Sequence, residues 1–388
     1  MKTARYLFFY MMKPIIRLYF IIQYNFTIKN NPLKGVKGPY LVIGHHVKSD
    51  DPLFVLAASK QLVRFLAADA NMDTPWKKYL FNAMGMVPFK KKRSDMKSIR
   101  TLLALVQQNE AIGLYPEGGR NWDGATDKLM PATAKLIKLL GIDVYVTFYK
   151  GGYLTRPRWA DYSRRGRIEL SGFQLFNSEA LKSLTPSDIN TKMTEALAYN
   201  EFDWQREQMI PYKGRNKASG IERLLYKCPN CQGEHSLSSS GNDFSCSHCQ
   251  QTYHINHFGF IEGFKDFDDT HKWQQWQHAY IPEIIDRMTT YTLANIHYES
   301  TNTKTNVKDI YPSTNVTIAK NHIHIVGDQL NLTLAIESTF GYSFTLMDLF
   351  EFFSADHKHR LIFDPKRHLS NVFIIDLLDQ LKENSKHE

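Results

Sequence analysis

The sequence predicts an α/β domain built on a largely parallel sheet flanked by helices. Three observations carry this expectation. From about residue 38, short apolar runs alternate with amphipathic stretches, as strands and helices do in βα units. An Asp51-Pro52 pair and the glycines at 85 and 141 punctuate that alternation where helices start and stop. Polar clusters holding His46, Lys91 and Glu117 follow apolar strands, and in such sheets chemistry gathers at the carboxyl ends of strands.

The elements read in order as follows. Residues 1–30 carry Lys2, Arg5, Lys13, Arg17 and Lys29, no acid, and a dense run of aromatic and aliphatic side chains between them. Lys13, Pro14 and Arg17 interrupt that run before the roughly 20 apolar residues that a membrane span needs. No small-residue cleavage site follows it. The segment therefore reads as a membrane-associating anchor, either a helix in the headgroup plane or a shallow re-entrant pair. Anionic lipid would add about 1 kcal/mol per well-placed cation. The alternative is a helix packed on the domain that follows.

Residues 40–44 read as a buried strand, with Asp51 as N-cap and Pro52 at the first position of a helix running through Leu53, Phe54, Val55, Leu62 and Phe65. A second helix over 76–83 stops at Gly85, and 86–89 reads as a strand. Ser94 opens a helix through Ile99, Leu102, Leu103, Leu105 and Val106, followed by a strand over 111–115. A helix over 131–140 ends at Gly141, and strands over 143–149 and 167–173 complete the domain.

Two of the polar clusters form a constellation. His45-His46-Val47-Lys48-Ser49-Asp50-Asp51-Pro52 sets His46 five residues before Asp51. A carboxylate there can fix the imidazole tautomer and stabilise its cation, so the ring can take a proton from an alcohol near neutral pH. Pro116-Glu117-Gly118-Gly119-Arg120 ends another strand with a carboxylate, two glycines and a guanidinium, and arginine's planar fork matches phosphate oxygens. Gly85-Met86-Val87-Pro88-Phe89-Lys90-Lys91 lies between them. In this order the three motifs resemble those of the glycerolphosphate acyltransferase superfamily, particularly the 1-acylglycerol-3-phosphate acyltransferases. The first is an HxxxxD motif. The chain departs from the family pattern at His45, Lys48, Lys91 and Gly119, and residues 141–146 lack the proline of a fourth motif.

The resemblance implies an acyl transfer from a carrier-protein or coenzyme A thioester, or an acyl phosphate, to the free hydroxyl of a lysophosphatidic acid-type acceptor in phospholipid synthesis. His46 would be the general base and Asp51 its orienting partner. Lys91, Glu117, Gly118 and Arg120 would form the phosphate-binding group, with Arg120 and Lys91 holding the phosphate and Glu117 orienting the cations and the loop, and Lys90, Lys92 or Arg93 could substitute for Lys91. No organic cofactor is implied. His45 is a competing base, and Arg156, Arg158, Arg164, Arg165 and Arg167 read as membrane-facing or solvated. The basic, apolar segment 1–30 leads to the expectation of a peripheral or monotopic enzyme on the cytoplasmic face of a membrane.

Residues 213–220 have linker composition. Cys228 and Cys231, then fourteen residues, then Cys246 and Cys249 are the only cysteines in the chain. Two paired-thiolate knuckles at this separation surround a tetrahedral ion, so the segment reads as a zinc ribbon with a closed, structural site. His235, His248 and His254 are bystanders in that reading. Cysteine use restricted to a metal site points to a reducing compartment. Beyond it, 266–288 reads as helix. Strands follow over 293–298, 316–319, 322–326, 330–336, 343–346 and 360–363, and a closing helix over 371–382. That α+β order is analogous to a PH-like barrel. The expected organisation is a membrane-associating segment (1–30), an acyltransferase domain (31–212), a linker (213–220), a zinc ribbon (221–262) and a carboxy-terminal α+β domain (263–388).

The chain has 388 residues and a net charge of +9, which favours an acidic partner: anionic lipid, an acyl carrier protein or nucleic acid. Glu234, Asp243 and few basic residues surround the cysteine knuckles, so the ribbon lacks a nucleic-acid footprint. The other readings are an acyltransferase for a different lysophospholipid, a non-catalytic lipid sensor, and a nucleic-acid-binding ribbon protein.

Overall fold

A computed structural model describes residues 2–68, 79, 81–89, 96–345, 347–364 and 369–386. The chain forms two compact units. The first comprises Met1–Arg158, Tyr162–Arg215 and His257–Gly259, and the second Trp159–Asp161, Asn216–Asn256 and Phe260–Glu388. The change of unit between Arg215 and Asn216 falls inside the segment of linker composition, and the cysteine knuckles and the carboxy-terminal strands share the second unit.

The first unit opens with α1 (Lys2–Tyr24), one continuous helix that contains Pro14, rather than a re-entrant pair. Among the described residues no helix is long and apolar enough to cross a membrane. Phe9, Phe20 and Tyr24 are buried, and Phe20 packs on Phe54 with ring centroids 4.2 Å apart. Leu7, Met11, Ile15, Leu18 and Ile22 are each more than half exposed. Their spacing of three and four residues places them along one helical stripe. Two cations of the helix reach its own unit: Lys13 Nζ donates to the Ser59 carbonyl at 2.5 Å and Arg5 Nε to the Asn82 carbonyl at 3.1 Å.

The sheet comprises β1 (Thr27–Asn30), β2 (Tyr40–Gly44), β3 (Val63–Ala68), β4 (Val87–Phe89), β5 (Ala111–Leu114), β6 (Asp143–Lys150) and β7 (Glu169–Phe176). Their order is β1-β7-β6-β2-β5-β3-β4. Every neighbouring pair is parallel except β6 with β7. The central strands are covered on both faces, which is why Tyr-Leu-Val-Ile and Ala-Ile-Gly-Leu read as unbroken apolar runs. Leu41, Ile43, Ile112, Leu114, Val144 and Val146 pack with Leu102 and Leu105 of α3 (Met96–Gln107) and Ile137 and Leu140 of α4 (Ala132–Leu140). Each such side chain contributes about 1.5–3 kcal/mol through burial.

The structure corrects the sequence expectation between residues 51 and 68. The helix α2 (Asp51–Ala58) ends eight residues in, and the stretch containing Leu62 and Phe65 turns into β3. Ser59 Oγ donates to the Gln61 carbonyl at 2.7 Å and accepts from the Gln61 amide at 3.0 Å. A side chain bonded to nearby backbone in this way competes with helix continuation. Val63, Arg64 and Phe65 then pair with Ala111, Ile112 and Gly113. Asp50, not Asp51, occupies the N-cap position. Most of the expected helix over 76–83, and Ser94, lie outside the described residues, although Val87–Phe89 forms the expected strand.

The second unit carries a four-stranded antiparallel sheet in the order β11-β10-β9-β8, built from β8 (Leu237–Ser240), β9 (Asp243–Cys246), β10 (Thr252–Ile255) and β11 (Ile261–Glu262). The single helix expected over 266–288 is two helices, Thr270–His278 and Ile281–Arg287. Pro282, at the start of the second, suits a new first turn rather than a helix interior. Seven antiparallel strands follow: β12 (Thr290–Asn302), β13 (Lys308–Ala319), β14 (His322–Gly327), β15 (Leu330–Ala335), β16 (Thr339–Phe344), β17 (Leu349–Ser354) and β18 (His357–Ile362). Their order is β15-β14-β13-β12-β18-β17-β16. The closing helix Asn371–Asn384 buries Val372, Phe373, Ile374, Leu377, Leu378 and Leu381, and Ser370 caps it by accepting from the Phe373 amide. The strand β17 had no counterpart in the sequence reading.

Candidate active site and candidate metal centre

The turn leaving β2 carries His46, and the first helical residue of α2 carries Asp51. Asp51 is fully buried. Its Oδ2 accepts from the Val47 amide at 2.8 Å and the Lys48 amide at 2.9 Å, and lies 2.8 Å from His46 Nδ1. The aspartate therefore does not cap the helix. It folds the turn back on itself and holds the imidazole, with Nε2 as the ring nitrogen that the carboxylate does not engage. Burial pushes the Asp51 carboxyl up from its ordinary value, while hydrogen bonds from the His46 ring and the Lys48 and Val47 amides pull it down.

The imidazole plane is set from below. His46 stacks on Tyr115 with ring centroids 4.3 Å apart and planes 10° off parallel, and Tyr115 in turn stacks on Phe65 at 5.5 Å. Phe65 reaches this position because residue 113 is glycine: a Cβ there would lie 2.3 Å from the Phe65 ring. Sequence reasoning gave no place to this aromatic stack, since it depends on β3.

The third motif grips the backbone of His46 from both sides. Glu117 Oε1 accepts from the His46 amide at 2.5 Å, and its Oε2 accepts from the Asp127 amide at 3.0 Å. The Asn121 amide donates to the His46 carbonyl at 2.9 Å. Glu117 is thus a brace between the two motifs. Burial pushes its carboxyl well up, against the two amide donors. Gly118, at φ 69°, donates its amide to the Tyr115 carbonyl inside the turn, so that amide shapes the loop.

Arg120 directly precedes the residue bonded to His46. Burial pulls its guanidinium down, Asp51 and Asp50 favour its charge, and Arg156 opposes it. Arg158 lies behind the loop: its guanidinium sits 4.1 Å from the Trp122 ring centroid and donates to the Arg120 carbonyl. Arg164 is buried. It is thus an interior residue, and Arg158 is half-buried against Trp122, contrary to the expectation of solvated or membrane-facing side chains. Lys90, Lys91, Lys92 and Arg93 lie outside the described residues. His45, the competing base, is enclosed by Phe148, Tyr149 and Tyr199. Burial pulls it down to about 3, so it is a neutral core residue.

In the second unit the Sγ atoms of Cys228, Cys231, Cys246 and Cys249 all lie within 4.8 Å of one another. Cys228 and Cys249 are 3.8 Å apart and Cys231 and Cys246 3.6 Å apart. Four sulfurs about 2.3 Å from one tetrahedral zinc would be separated by about 3.8 Å, so the cluster fits such an ion. Tyr253 Oη lies 3.3 Å from Cys228 Sγ and Ser236 Oγ 3.2 Å from Cys246 Sγ, hydroxyls placed to support thiolate ligands. Among the described residues the cluster comprises these four cysteines and no histidine.

Comparison with known proteins bears on the first unit. Among curated proteins none matches the chain. A solved structure, the 1-acyl-sn-glycerophosphate acyltransferase PlsC from Thermotoga maritima, is similar at 13% identity and a TM-score of 0.44, over 53% of this chain and 82% of that one. The Acyltransferase family model matches residues 24–149. That span runs from the end of α1 through β6 and contains His46, Asp51, Glu117 and Arg120. Residues 24–149 therefore belong to the acyltransferase family, within the glycerolphosphate acyltransferase superfamily that the three motifs resemble.

Proposed function

We propose that the chain is a membrane-associated O-acyltransferase of the 1-acyl-sn-glycerol-3-phosphate type. In this reading it transfers an acyl chain from an acyl thioester or acyl phosphate to the free hydroxyl of a lysophosphatidic acid-type acceptor. The observation that carries the reading is the double grip on His46. Glu117 and Asn121 bind its amide and carbonyl, which sets the Arg120 loop beside a histidine already held by Asp51.

His46 Nε2 takes the proton of the acceptor hydroxyl as its oxygen attacks the acyl carbonyl. The Nδ1 proton stays on Asp51's hydrogen bond, and the carboxylate stabilises the imidazolium so formed. The tetrahedral intermediate collapses by breaking the bond to the thiolate or phosphate, and the imidazolium returns the proton to that leaving group. Arg120, with Lys91, holds the acceptor phosphate. Such positioning and proton transfer each supply several kcal/mol of barrier reduction.

The exposed apolar stripe of α1 supports a peripheral or monotopic attachment that brings the site to its lipid acceptor. The strand order of the second unit, with β12 between β13 and β18 and one closing helix, supports reading the carboxy-terminal module as PH-like. The four-cysteine cluster supports a structural zinc.

The test is a panel of lysophospholipid acceptors with carrier-protein and coenzyme A thioesters and acyl phosphate. Wild type should acylate at least one phosphate-bearing acceptor, His46→Ala should abolish turnover with the fold intact, and Arg120→Ala should weaken phosphate-bearing acceptors most. Equal turnover by His46→Ala and wild type would remove the base.

A further inference from the structure

Lys48 stands where the superfamily motif has serine, two residues after His46, and only 5% of it is exposed. Its Nζ donates to Thr155 Oγ1 at 3.1 Å and lies 4.7 Å from the centroid of the Tyr24 ring. Thr155 Oγ1 gives its own proton to the Gly152 carbonyl at 2.7 Å, so it meets the ammonium as an acceptor. Among the described residues no carboxylate comes within ion-pair distance of Lys48. Asp51, the adjacent acid, directs its Oδ2 to the His46 ring and two amides.

A buried ammonium without a counter-ion is expensive, and proteins rarely keep one unless something pairs with it. Burial pulls the ammonium down to about 8, while Asp50 and Asp51 favour its charge from a distance and Arg156 and Arg120 oppose it. The single turn Gly152–Thr155 creates this juxtaposition, since it brings Thr155 to Lys48 and delivers Arg156 directly afterwards. Lys48, Arg120 and Arg156 thus lie within electrostatic reach of Asp50 and Asp51, three cations against two carboxylates. An anion is the missing complement.

We propose that Lys48 is an anion-binding residue of this site, and that with Arg120 and Arg156 it makes the acceptor pocket selective for a doubly charged phosphomonoester headgroup over singly charged phosphodiesters. The proposal rests on the reading of the acceptor as a lysophospholipid. Lys48→Met keeps the aliphatic stem against Tyr24 and deletes the charge, and Arg156→Gln deletes the second cation.

The experiment compares the full chain and both variants on 1-acylglycerol 3-phosphate and its phosphoglycerol diester. Lys48→Met should lower the ratio of kcat/KM for monoester over diester at least tenfold, mainly through KM, with Tm unchanged or raised because an unpaired buried charge has gone. Arg156→Gln should move the ratio the same way. A ratio within twofold of wild type overturns the proposal, and a lowered Tm with that unchanged ratio identifies Lys48 as a packing residue. Calorimetric titration with sn-glycerol 3-phosphate and with glycerophosphoglycerol separates this from the acyl-transfer reading. If wild type turns over no acceptor, that reading fails, yet a tenfold monoester preference lost in Lys48→Met still supports the anion site, and equal binding of both ligands by wild type overturns it.

Discussion

Replacing Asp51 with asparagine isolates what a buried carboxylate does for His46. The side chain keeps its shape, and its oxygen can still accept from the Val47 and Lys48 amides, so the turn into α2 persists. Two things are lost. The imidazolium no longer faces a negative charge: with Nδ1 and Oδ2 2.8 Å apart, charge centres about 4 Å apart at an effective dielectric of 20 correspond to about 4 kcal/mol. If the amide instead turns its NH2 to Nδ1, the ring proton moves to Nε2 and the base vanishes. A charge term of about 4 kcal/mol is a factor of about 10³ in turnover, and a misplaced tautomer raises the loss toward about 10⁴. The assay is release of free thiol from an acyl thioester with saturating acceptor, alongside circular dichroism to show that the fold survives. Turnover of the folded Asp51→Asn protein within tenfold of wild type would refute the pairing of carboxylate and base.

Three further outcomes follow from the geometry. Buried His45 stays neutral in the folded protein, pulled down to about 3 from 6.5. As pH falls below 6.5 the unfolded chain therefore binds a proton that the folded chain refuses, and stability is lost down to about pH 3. Between pH 7 and pH 5 the loss is about 2 kcal/mol, and urea titrations should show it reduced by that amount in His45→Phe, which fits the same aromatic enclosure. The four-cysteine cluster should hold about one equivalent of zinc by elemental analysis, and Cys231→Ser or Cys249→Ser should release it and lower the melting temperature of the second unit, because binding free energy at such sites is folding free energy. Replacing Ile15, Leu18 and Ile22 of α1 with serine should weaken sedimentation with anionic vesicles more than tenfold, since each exchange removes about 1 kcal/mol or more of apolar transfer; unchanged sedimentation would exclude this stripe as the contact.

Much of the first unit was legible because its central strands and helices obey simple periodicities. Residues 40–44 and 111–114 are apolar without interruption, as strands covered on both faces must be. The helix before Gly141 ends at that glycine as expected, in the left-handed conformation at φ 59°. The region 59–68 misled because Leu62 and Phe65 also fit a helical period. What settles it is pairing with β5, a partner more than forty residues away. The placement of Arg158 was equally hidden: nothing near it in sequence says that Trp122 will lie against it.

The sequence by itself determined the candidate acid–base pair, the order of the motifs and the cysteine spacing, because a histidine five residues before an aspartate and paired cysteine knuckles are local patterns. Only the tertiary structure decided how those groups meet. It made Glu117 a brace on the His46 amide, set the imidazole on Tyr115, sent His45 into the core and buried Lys48 beside the site. Each of these depends on strands brought together by burial of apolar surface, a sum over the whole unit that no short motif contains.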